Sequence, residues 1–158
     1  MVLRNLMIED FVNYRLPSMF LIFPFCTFKC GRSNCQNAKL VDDPKLLVVT
    51  AEEVCKQFVS NGITKAIVCG GLEPFDSVDD LIELIDTLRN KFYCQNDVVI
   101  YTGYTEEEVT NNEKMKKVLE YNNIVVKYGR YLPNETPHRD SILGVNLASS
   151  NQYAKRYN

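Results

Sequence analysis

Residues 18–23 read Ser-Met-Phe-Leu-Ile-Phe, a short apolar run rich in residues that favour strands. Comparable runs occupy residues 64–69, 97–101 and 123–128, and segments with helical spacing lie between them. Several of these runs are apolar on both faces, as in strands that helices cover. The alternation predicts repeated β-α units, and hence an α/β fold in which helices flank a parallel sheet.

The starts of the helices are marked by capping residues. Thr50, Ser77 and Thr105 each stand three residues before an acidic residue, which is the pattern of a capping box. The first predicted helix runs to about Ser60 and ends before an Asn-Gly pair. The second carries apolar residues at helical spacing, which we expect to lie in the core: Leu81, Leu84, Ile85 and Leu88.

The second half of the chain is predicted to be less regular. A third helical region spans about residues 105–121, with a break near Asn111 and Asn112. From Gly129 onward prolines occur and periodic apolar residues are few. We therefore predict a loop-like segment after Gly129.

Composition narrows the class of protein. With 158 residues, 46% of them hydrophobic and 24% charged, the chain resembles one compact domain, which we expect to span residues 1–158. A net charge of -2 without a Lys/Arg run does not favour a nucleic-acid partner. The most apolar stretch, Leu16 to Phe25, is too short to cross a bilayer and contains two prolines. We expect a cytoplasmic protein with no membrane partner.

The six cysteines are unevenly distributed. In a reducing cytoplasm we expect them to be metal ligands, catalytic groups or core residues, and not disulfides. Cys55 and Cys69 fall on a predicted helix and a predicted strand, where buried and inert thiols are expected. Cys94 is ambiguous, because it could be a core residue or a fourth metal ligand.

Three of the cysteines share one loop after the first predicted strand. Residues 24–35 read Pro-Phe-Cys-Thr-Phe-Lys-Cys-Gly-Arg-Ser-Asn-Cys, which places thiols at Cys26, Cys30 and Cys35. Clustered thiolates select iron-sulfur clusters or zinc. Structural zinc sites use four ligands, and the only histidine, His138, lies far away in the sequence. The loop favours a cluster with one open iron, while a zinc site or a chance grouping remains possible.

At this loop the sequence resembles the small radical S-adenosylmethionine proteins, and among them the activating proteins of anaerobic ribonucleotide reductases. That family carries Cys-x3-Cys-x2-Cys after its first strand, often followed by x-Asn. Here Cys26, Cys30, Cys35 and Asn37 take those places. Four residues separate the last two thiols, and Asn34 stands where the family usually has an aromatic residue.

Further segments extend the resemblance. Gly70-Gly71-Leu72-Glu73-Pro74 is similar to the family's Gly-Gly-Glu-Pro turn, with Leu72 altering it. Residues 101–108 and 149–152 resemble segments of the reductase activators, although a helix cap and a solvated polar tail would also explain them. The resemblance implies contacts to S-adenosylmethionine from these residues: Gly70, Gly71, Glu73, Pro74, Tyr104, Ser149 and Asn151.

The resemblance also implies a fold, a reaction and partners. The fold is a minimal radical S-adenosylmethionine core, a partial (β/α) barrel-like parallel sheet with flanking helices. The three cysteines would hold a [4Fe-4S] cluster, and one electron would cleave S-adenosylmethionine to methionine and a 5'-deoxyadenosyl radical. The chain would thus be an anaerobic oxidoreductase. Its partners would be a glycyl-radical enzyme, such as anaerobic ribonucleoside-triphosphate reductase, and an electron donor such as flavodoxin or ferredoxin.

Other functions remain open at this point. The altered cysteine spacing is compatible with a radical enzyme that acts on another peptide or on a small molecule. A [4Fe-4S] electron-transfer or sensor module that never cleaves S-adenosylmethionine is an alternative from a different class. A zinc-binding interaction domain is a third. The short chain leaves little sequence with which to enclose a large substrate, which favours a protein partner.

Overall fold

The computed structural model describes residues 1–158 and contains ten strands and four helices. The strands are β1 (Val2–Leu3), β2 (Asn5–Asp10), β3 (Ser18–Phe23), β4 (Leu47–Val48), β5 (Ala66–Gly71), β6 (Asp97–Tyr101), β7 (Ile124–Tyr128), β8 (His138–Arg139), β9 (Asn146–Leu147) and β10 (Tyr153–Tyr157). The helices are α1 (Ala51–Ser60), α2 (Val78–Asp86), α3 (Glu106–Thr110) and α4 (Glu113–Val118).

The centre of the fold is a six-stranded sheet with the order β10-β7-β6-β5-β3-β2. Its four inner strands, β3, β5, β6 and β7, pair in parallel. They coincide, within a residue or two, with the four apolar runs of the sequence, because an inner strand covered on both faces needs apolar residues throughout. The predicted α/β fold, with a mainly parallel sheet and flanking helices, is confirmed.

Both edges of the sheet are antiparallel strands. β2 pairs with β3, and β10 pairs with β7 through a continuous register from Tyr153 to Tyr157. The predicted loop after Gly129 is therefore wrong at β10 and at the short β8–β9 pair. The pattern is weak there because only Ala154 of β10 is buried. Two further strands, β1 and β4, form a separate antiparallel pair.

The helix caps agree with the sequence at two of three positions. Thr50 and Thr105 form complete capping boxes with Glu53 and Glu108. Ser77 makes no side-chain cap, so this prediction is wrong. The reason is that a 3-10 turn at Pro74–Ser77 leads directly into α2.

The helices end and break close to the predicted positions. α1 ends at Ser60, and the break between α3 and α4 falls where Asn112 caps the second of them. α2 continues as a wider π turn over Thr87–Lys91. No helix of the structure is long and apolar enough to span a membrane.

The two faces of the sheet are covered differently. All four helices contribute to the larger core, together with alternate strand residues such as Ile67 and Val126. The predicted stripe of α2 lies in this core, fully buried: Leu81, Leu84, Ile85 and Leu88. The other face is covered by Tyr14, Leu143 and Leu147 from loops and from β9. The flanking helices therefore cover one face of the sheet, and the face without helices has room for a cavity.

Candidate functional site

The candidate site is a cavity of about 540 Å³ at the edge where the parallel strands end. Its floor is a row of residues on the sheet face without helices. Ile22 pairs with Gly70, and Tyr101 pairs with Lys127. Loops after the four parallel strands form the walls together with residues 146–148 and Gln152. Side chains from distant parts of the sequence therefore meet here, as is usual at the carboxyl ends of parallel strands.

Two glycines shape the floor of the cavity. A Cβ atom on Gly70 would lie 3.0 Å from the ring of Phe20, so the absent side chain keeps the floor open. Gly71 has a φ of 86°, and a Cβ atom there would clash with Cγ2 of Ile22. Residues other than glycine adopt this left-handed conformation only with strain. Both predicted glycines line the cavity.

The cysteine loop lies over one side of the cavity. Cys26, Cys30 and Cys35 are free, half-buried thiols, and all three line the cavity. Burial raises the pKa of Cys26 to about 11, and burial together with the neighbouring Cys35 thiol raises the pKa of Cys30. The raised pKa values keep the thiols of Cys26 and Cys30 protonated at neutral pH, and a metal would displace these two protons on binding.

Hydrogen bonds attach the cysteine loop to the turn after β5. The amide of Glu73 donates to the carbonyl of Phe25 at 2.8 Å, and the side-chain amide of Asn37 donates to the carbonyl of Gly71 at 2.7 Å. The amide of Thr27 donates to the Asp76 carboxylate at 2.6 Å. The two segments that the sequence singled out are therefore held together by direct contacts.

The thiols share a cavity without forming a compact ligand group. No three His, Cys, Asp or Glu side chains of the chain are gathered closely enough to hold a metal ion. The metal-ligand role of Cys26, Cys30 and Cys35 thus stays a prediction. It rests on their residue type and on their common cavity.

Glu73 connects the turns that follow β5 and β6. Its side chain is buried and accepts hydrogen bonds from Oγ1 of Thr102 and the amide of Gly103, each at 2.8 Å, and from the amide of Phe75 at 3.2 Å. Burial raises the pKa of Glu73 to about 7, although these donors act in the opposite direction. The residue lines the cavity, but its carboxylate oxygens already have partners within the protein.

Tyr104 lines a smaller, adjoining cavity, together with Cys26 and Cys30. Its hydroxyl donates to Asp76 at 2.6 Å, and Nζ of Lys29 lies 4.4 Å from the centre of its ring. At the same rim Nη2 of Arg130 donates to both carboxylate oxygens of Glu108. The cations nearest Tyr104 are thus engaged in contacts within the protein.

The remaining predicted ligand contacts do not line the main cavity. Pro74 is buried at the start of a 3-10 turn. Ser149 is fully buried, and its hydroxyl accepts from the amide of Leu132. Asn151 is exposed and donates to the carbonyl of Arg130. The structure thus gives each of them a contact within the protein, and their proposed role in ligand binding stays a prediction.

The other three cysteines lie away from the site. Cys55 and Cys69 are fully buried in the core, and burial raises the pKa of Cys55 to about 12 and that of Cys69 still further. Their predicted positions in the core are confirmed. Cys94 packs against the core just before β6 begins. It therefore lies at the amino ends of the parallel strands, whereas the cysteine loop lies at their carboxyl ends.

Lys127 and Gln152 also line the cavity, although neither was named individually as a predicted ligand contact. Lys127 is 7% exposed and lies on the floor, and Gln152 is 5% exposed and lies in the wall. A lysine inside the apolar run of residues 123–128 was a visible signal, because lysine is almost never buried without a reason. Gln152 belongs to residues 149–152, a segment that the sequence singled out, although the residue itself was not.

The donor set fits an iron-sulfur cluster. Soft thiolate ligands select iron-sulfur centres, and cysteine thiolates are the usual ligands of [4Fe-4S] clusters. Cys26, Cys30 and Cys35 would hold the cluster in this chain. The main cavity beside the three cysteines would leave room for a ligand that the protein does not itself supply.

Comparison with known proteins supports this fit. The model of the 4Fe-4S single cluster domain family matches residues 17–153, which include the parallel strands, the cysteine loop and all residues that line the cavity except Asn13. No curated protein matches the chain. The match extends over far more than half of the sequence and contains all three thiols of the loop. The chain belongs to the 4Fe-4S single cluster domain family.

Proposed function

We propose that this iron-sulfur protein is a radical S-adenosylmethionine enzyme that activates a glycyl-radical enzyme, such as anaerobic ribonucleoside-triphosphate reductase. One observation carries the proposal: the three thiols and the Gly70–Glu73 turn line the same cavity at the carboxyl edge of the sheet. A cluster-carrying module without a substrate needs no such cavity beside its cysteines.

The cavity has the size and lining of a small-molecule site. Its volume of about 540 Å³ lies within the roughly 300–1,000 Å³ usual for such sites. The rings of Phe20 and Tyr101 offer flat apolar surface for a nucleoside, and Gly70 lets the ligand approach the sheet. Because Gly70 and Gly71 have no side chains, an amino-acid headgroup can approach the backbone of the turn after β5 closely.

The chemistry would be divided between the cofactors and the protein. A bound [4Fe-4S] cluster supplies the electron with which S-adenosylmethionine is cleaved to methionine and a 5'-deoxyadenosyl radical. The residues of this chain would bind and orient the nucleoside on the floor of the cavity and exclude water from it. An electron donor such as flavodoxin or ferredoxin would reduce the protein, and the glycyl-radical enzyme would supply the hydrogen atom.

Metal loading tests the first part of the proposal. Anaerobic reconstitution should give about four irons per chain, with the absorbance of an iron-sulfur centre. Replacing Cys26, Cys30 or Cys35 with Ala should abolish this loading. Cys94→Ala is the matched control, because Cys94 is also a half-buried free thiol but lies at the other edge of the sheet. Full loading of the Cys35→Ala protein would contradict the ligand assignment, and zinc without visible absorbance would indicate a zinc-binding domain.

Cleavage of the nucleoside tests the second part. The reconstituted protein, reduced without oxygen in the presence of S-adenosylmethionine, should release 5'-deoxyadenosine. A stable cluster with no 5'-deoxyadenosine would reject the enzyme and favour an electron-transfer or sensor module. Release of 5'-deoxyadenosine with rapid turnover of a free small molecule would instead favour the alternative radical enzyme.

The protein partner needs its own experiment. The reduced protein loaded with S-adenosylmethionine should be mixed with a candidate glycyl-radical enzyme, such as an anaerobic ribonucleoside-triphosphate reductase. An oxygen-sensitive glycyl radical, visible by electron paramagnetic resonance, is expected. Partners captured without oxygen that all lack a glycyl-radical segment would count against this part of the proposal.

A further inference from the structure

The segment that follows the cysteine loop, residues 36–46, has few contacts to hold it in place. None of its residues is buried, and its only regular element is a 3-10 turn at Ala38–Asp42. No backbone hydrogen bond joins it to the six-stranded sheet. Even so, Asn37 and Leu40 of this segment line the cavity. A segment with so little buried surface opens easily, so side-chain hydrogen bonds must keep this wall of the cavity in place.

Arg4 supplies most of these hydrogen bonds. Its Nη2 donates to the carbonyl of Val41 at 3.2 Å, and its Nη1 donates to the carbonyl of Asp43 and, at 3.5 Å, to that of Lys45. The other hydrogen bond from the segment to the sheet is the one that Asn37 donates. A guanidinium group has five N–H donors in a fixed plane, so it can bind several carbonyls at once. A cation is also favourable beside the carbonyls at the end of a helical turn.

The backbone of Arg4 is attached to the strand that leads into the cysteine loop. Its amide donates to the carbonyl of Ile22 in β3 at 2.7 Å. The three thiols lie between Ile22 and Val41 in the sequence. Arg4 therefore joins the chain before the thiols to the chain after them, and it closes the loop that contains them. Closing a loop reduces the number of conformations that its residues can adopt.

We propose that Arg4 is a positioning residue for the metal site, because by closing the cysteine loop it keeps the thiol of Cys35 and the side chain of Leu40 at the cavity. The inference rests on the metal-binding part of the proposed function, under which the three cysteines of the loop hold the [4Fe-4S] cluster. Arg4 does not itself line the cavity, so its effect passes through residues 36–46. Its replacement should loosen this segment without removing a ligand.

Proteolysis of the metal-free protein measures how often the segment opens. Lys39 and Lys45 are exposed lysines within it, so a lysine-specific protease can cleave there when the segment opens. Arg4→Met should accelerate cleavage after these two lysines by about 10-fold, the usual effect of removing a hydrogen bond to a charged group. Cleavage after Lys56 should not accelerate, because that residue lies in α1, which keeps its own contacts.

Retention of the cluster measures the effect on the metal site. Reconstituted protein of verified iron content is mixed with an excess of chelator without oxygen, and the visible absorbance of the cluster is followed. Arg4→Met should lose this absorbance about 10-fold faster than the wild type, because Cys35 is held less firmly. Arg15→Met is the matched control and should behave as the wild type. Arg15 is exposed, and its guanidinium lies over the ring of Tyr14 and donates to no residue of the segment.

Urea unfolding separates positioning from a general loss of stability. The midpoint of metal-free Arg4→Met should stay close to that of the wild type, because the hydrogen bonds that it loses are exposed or half-buried. If Arg4→Met does not fold, Arg4→Lys takes its place in both measurements. Lysine keeps the charge but offers one nitrogen in place of the guanidinium plane, so effects in the same direction and of smaller size are expected.

The possible failures are distinguishable. Equal acceleration of cleavage after Lys39, Lys45 and Lys56, or an unchanged rate of cluster loss, would overturn the role of Arg4 while the proposed function stands. Wild-type protein that takes up no iron would overturn both. Faster cleavage within residues 36–46 and faster loss of the cluster, with the urea midpoint preserved, are the expected result.

Discussion

Replacement of Gly71 by Ala should strongly destabilise the protein. Gly71 has a φ of 86°, and the left-handed region costs a residue with a side chain roughly 1–2 kcal/mol. The added Cβ atom would also lie 3.2 Å from Cα of Ile22 and clash with its Cγ2 atom. Overpacking of this kind costs about 1–3 kcal/mol. Together these costs amount to about 2–5 kcal/mol, a large part of the roughly 5–15 kcal/mol by which domains are usually stable.

Urea unfolding of the metal-free protein, followed by circular dichroism, measures this effect. The midpoint of Gly71→Ala should fall by roughly 1–2 M. Gly62→Ala is the matched control, because a Cβ atom on Gly62 would meet nothing within 4 Å. Its unfolding free energy should stay within about 0.5 kcal/mol of the wild type or rise slightly.

A second substitution separates the two causes. Ile22→Ala removes the Cγ2 atom against which the new methyl group would clash. The double variant Ile22→Ala/Gly71→Ala should therefore be more stable than the sum of the single effects predicts, while the backbone cost at residue 71 remains. If Gly71→Ala unfolded at the same urea concentration as Gly62→Ala, the reasoning from φ and from contact would be refuted.

Three further comparisons of variants test the caps, the buried carboxylate and the last strand. Thr50→Ala should lower the free energy of unfolding, measured in urea, by about 1 kcal/mol. Ser77→Ala removes no cap hydrogen bond, so it should lower the free energy of unfolding by less than about 0.5 kcal/mol. Equal effects of the two substitutions would contradict this prediction. Because burial raises the pKa of Glu73 from 4.5 to about 7, the stability of the wild type relative to Glu73→Gln should be greatest below about pH 4.5. This stability difference should decline by on the order of 3 kcal/mol as the pH rises through about 7. A stability difference between the two proteins that does not change with pH would contradict the raised pKa of Glu73. Arg156→Met should lower the free energy of unfolding by about 2 kcal/mol, because it leaves the largely buried carboxylate of Asp97 without its cationic partner. Lys155 is more exposed, so Lys155→Met should lower it by less than about 1 kcal/mol. A higher urea midpoint for Arg156→Met than for Lys155→Met would refute the comparison.

The sequence was most informative where both faces of a strand are buried. All five residues of β7 are buried, and so are the first five of β5, which leaves continuous apolar runs that are easily recognised. The edge strands lack this signal. β2 is exposed along most of its length and has only three consecutive apolar residues, and β10 buries little besides Ala154, so both strands give a weaker signal than the inner strands.

The sequence predicted those parts of the candidate site that consist of an uncommon grouping of one residue type. Three thiols in one loop and two adjacent glycines are visible in any sequence, and the structure brings them to one cavity. Gln152 was singled out only as part of residues 149–152, because its place in the wall depends on the pairing of β10 with β7. Ser77 shows the opposite error, since a suitable capping residue lost its role to the 3-10 turn before it.

The antiparallel position of β10 has a consequence for biosynthesis. The ribosome makes a chain from its amino end, so the cysteine loop is synthesised well before residues 153–157, which pair with β7. Until that pairing forms, β7 is the outer strand of the nascent sheet. Gln152 reaches its place in the wall only at the same late stage. The wall of the cavity is therefore completed only after β10 has been translated, although the thiols of the cysteine loop are synthesised much earlier.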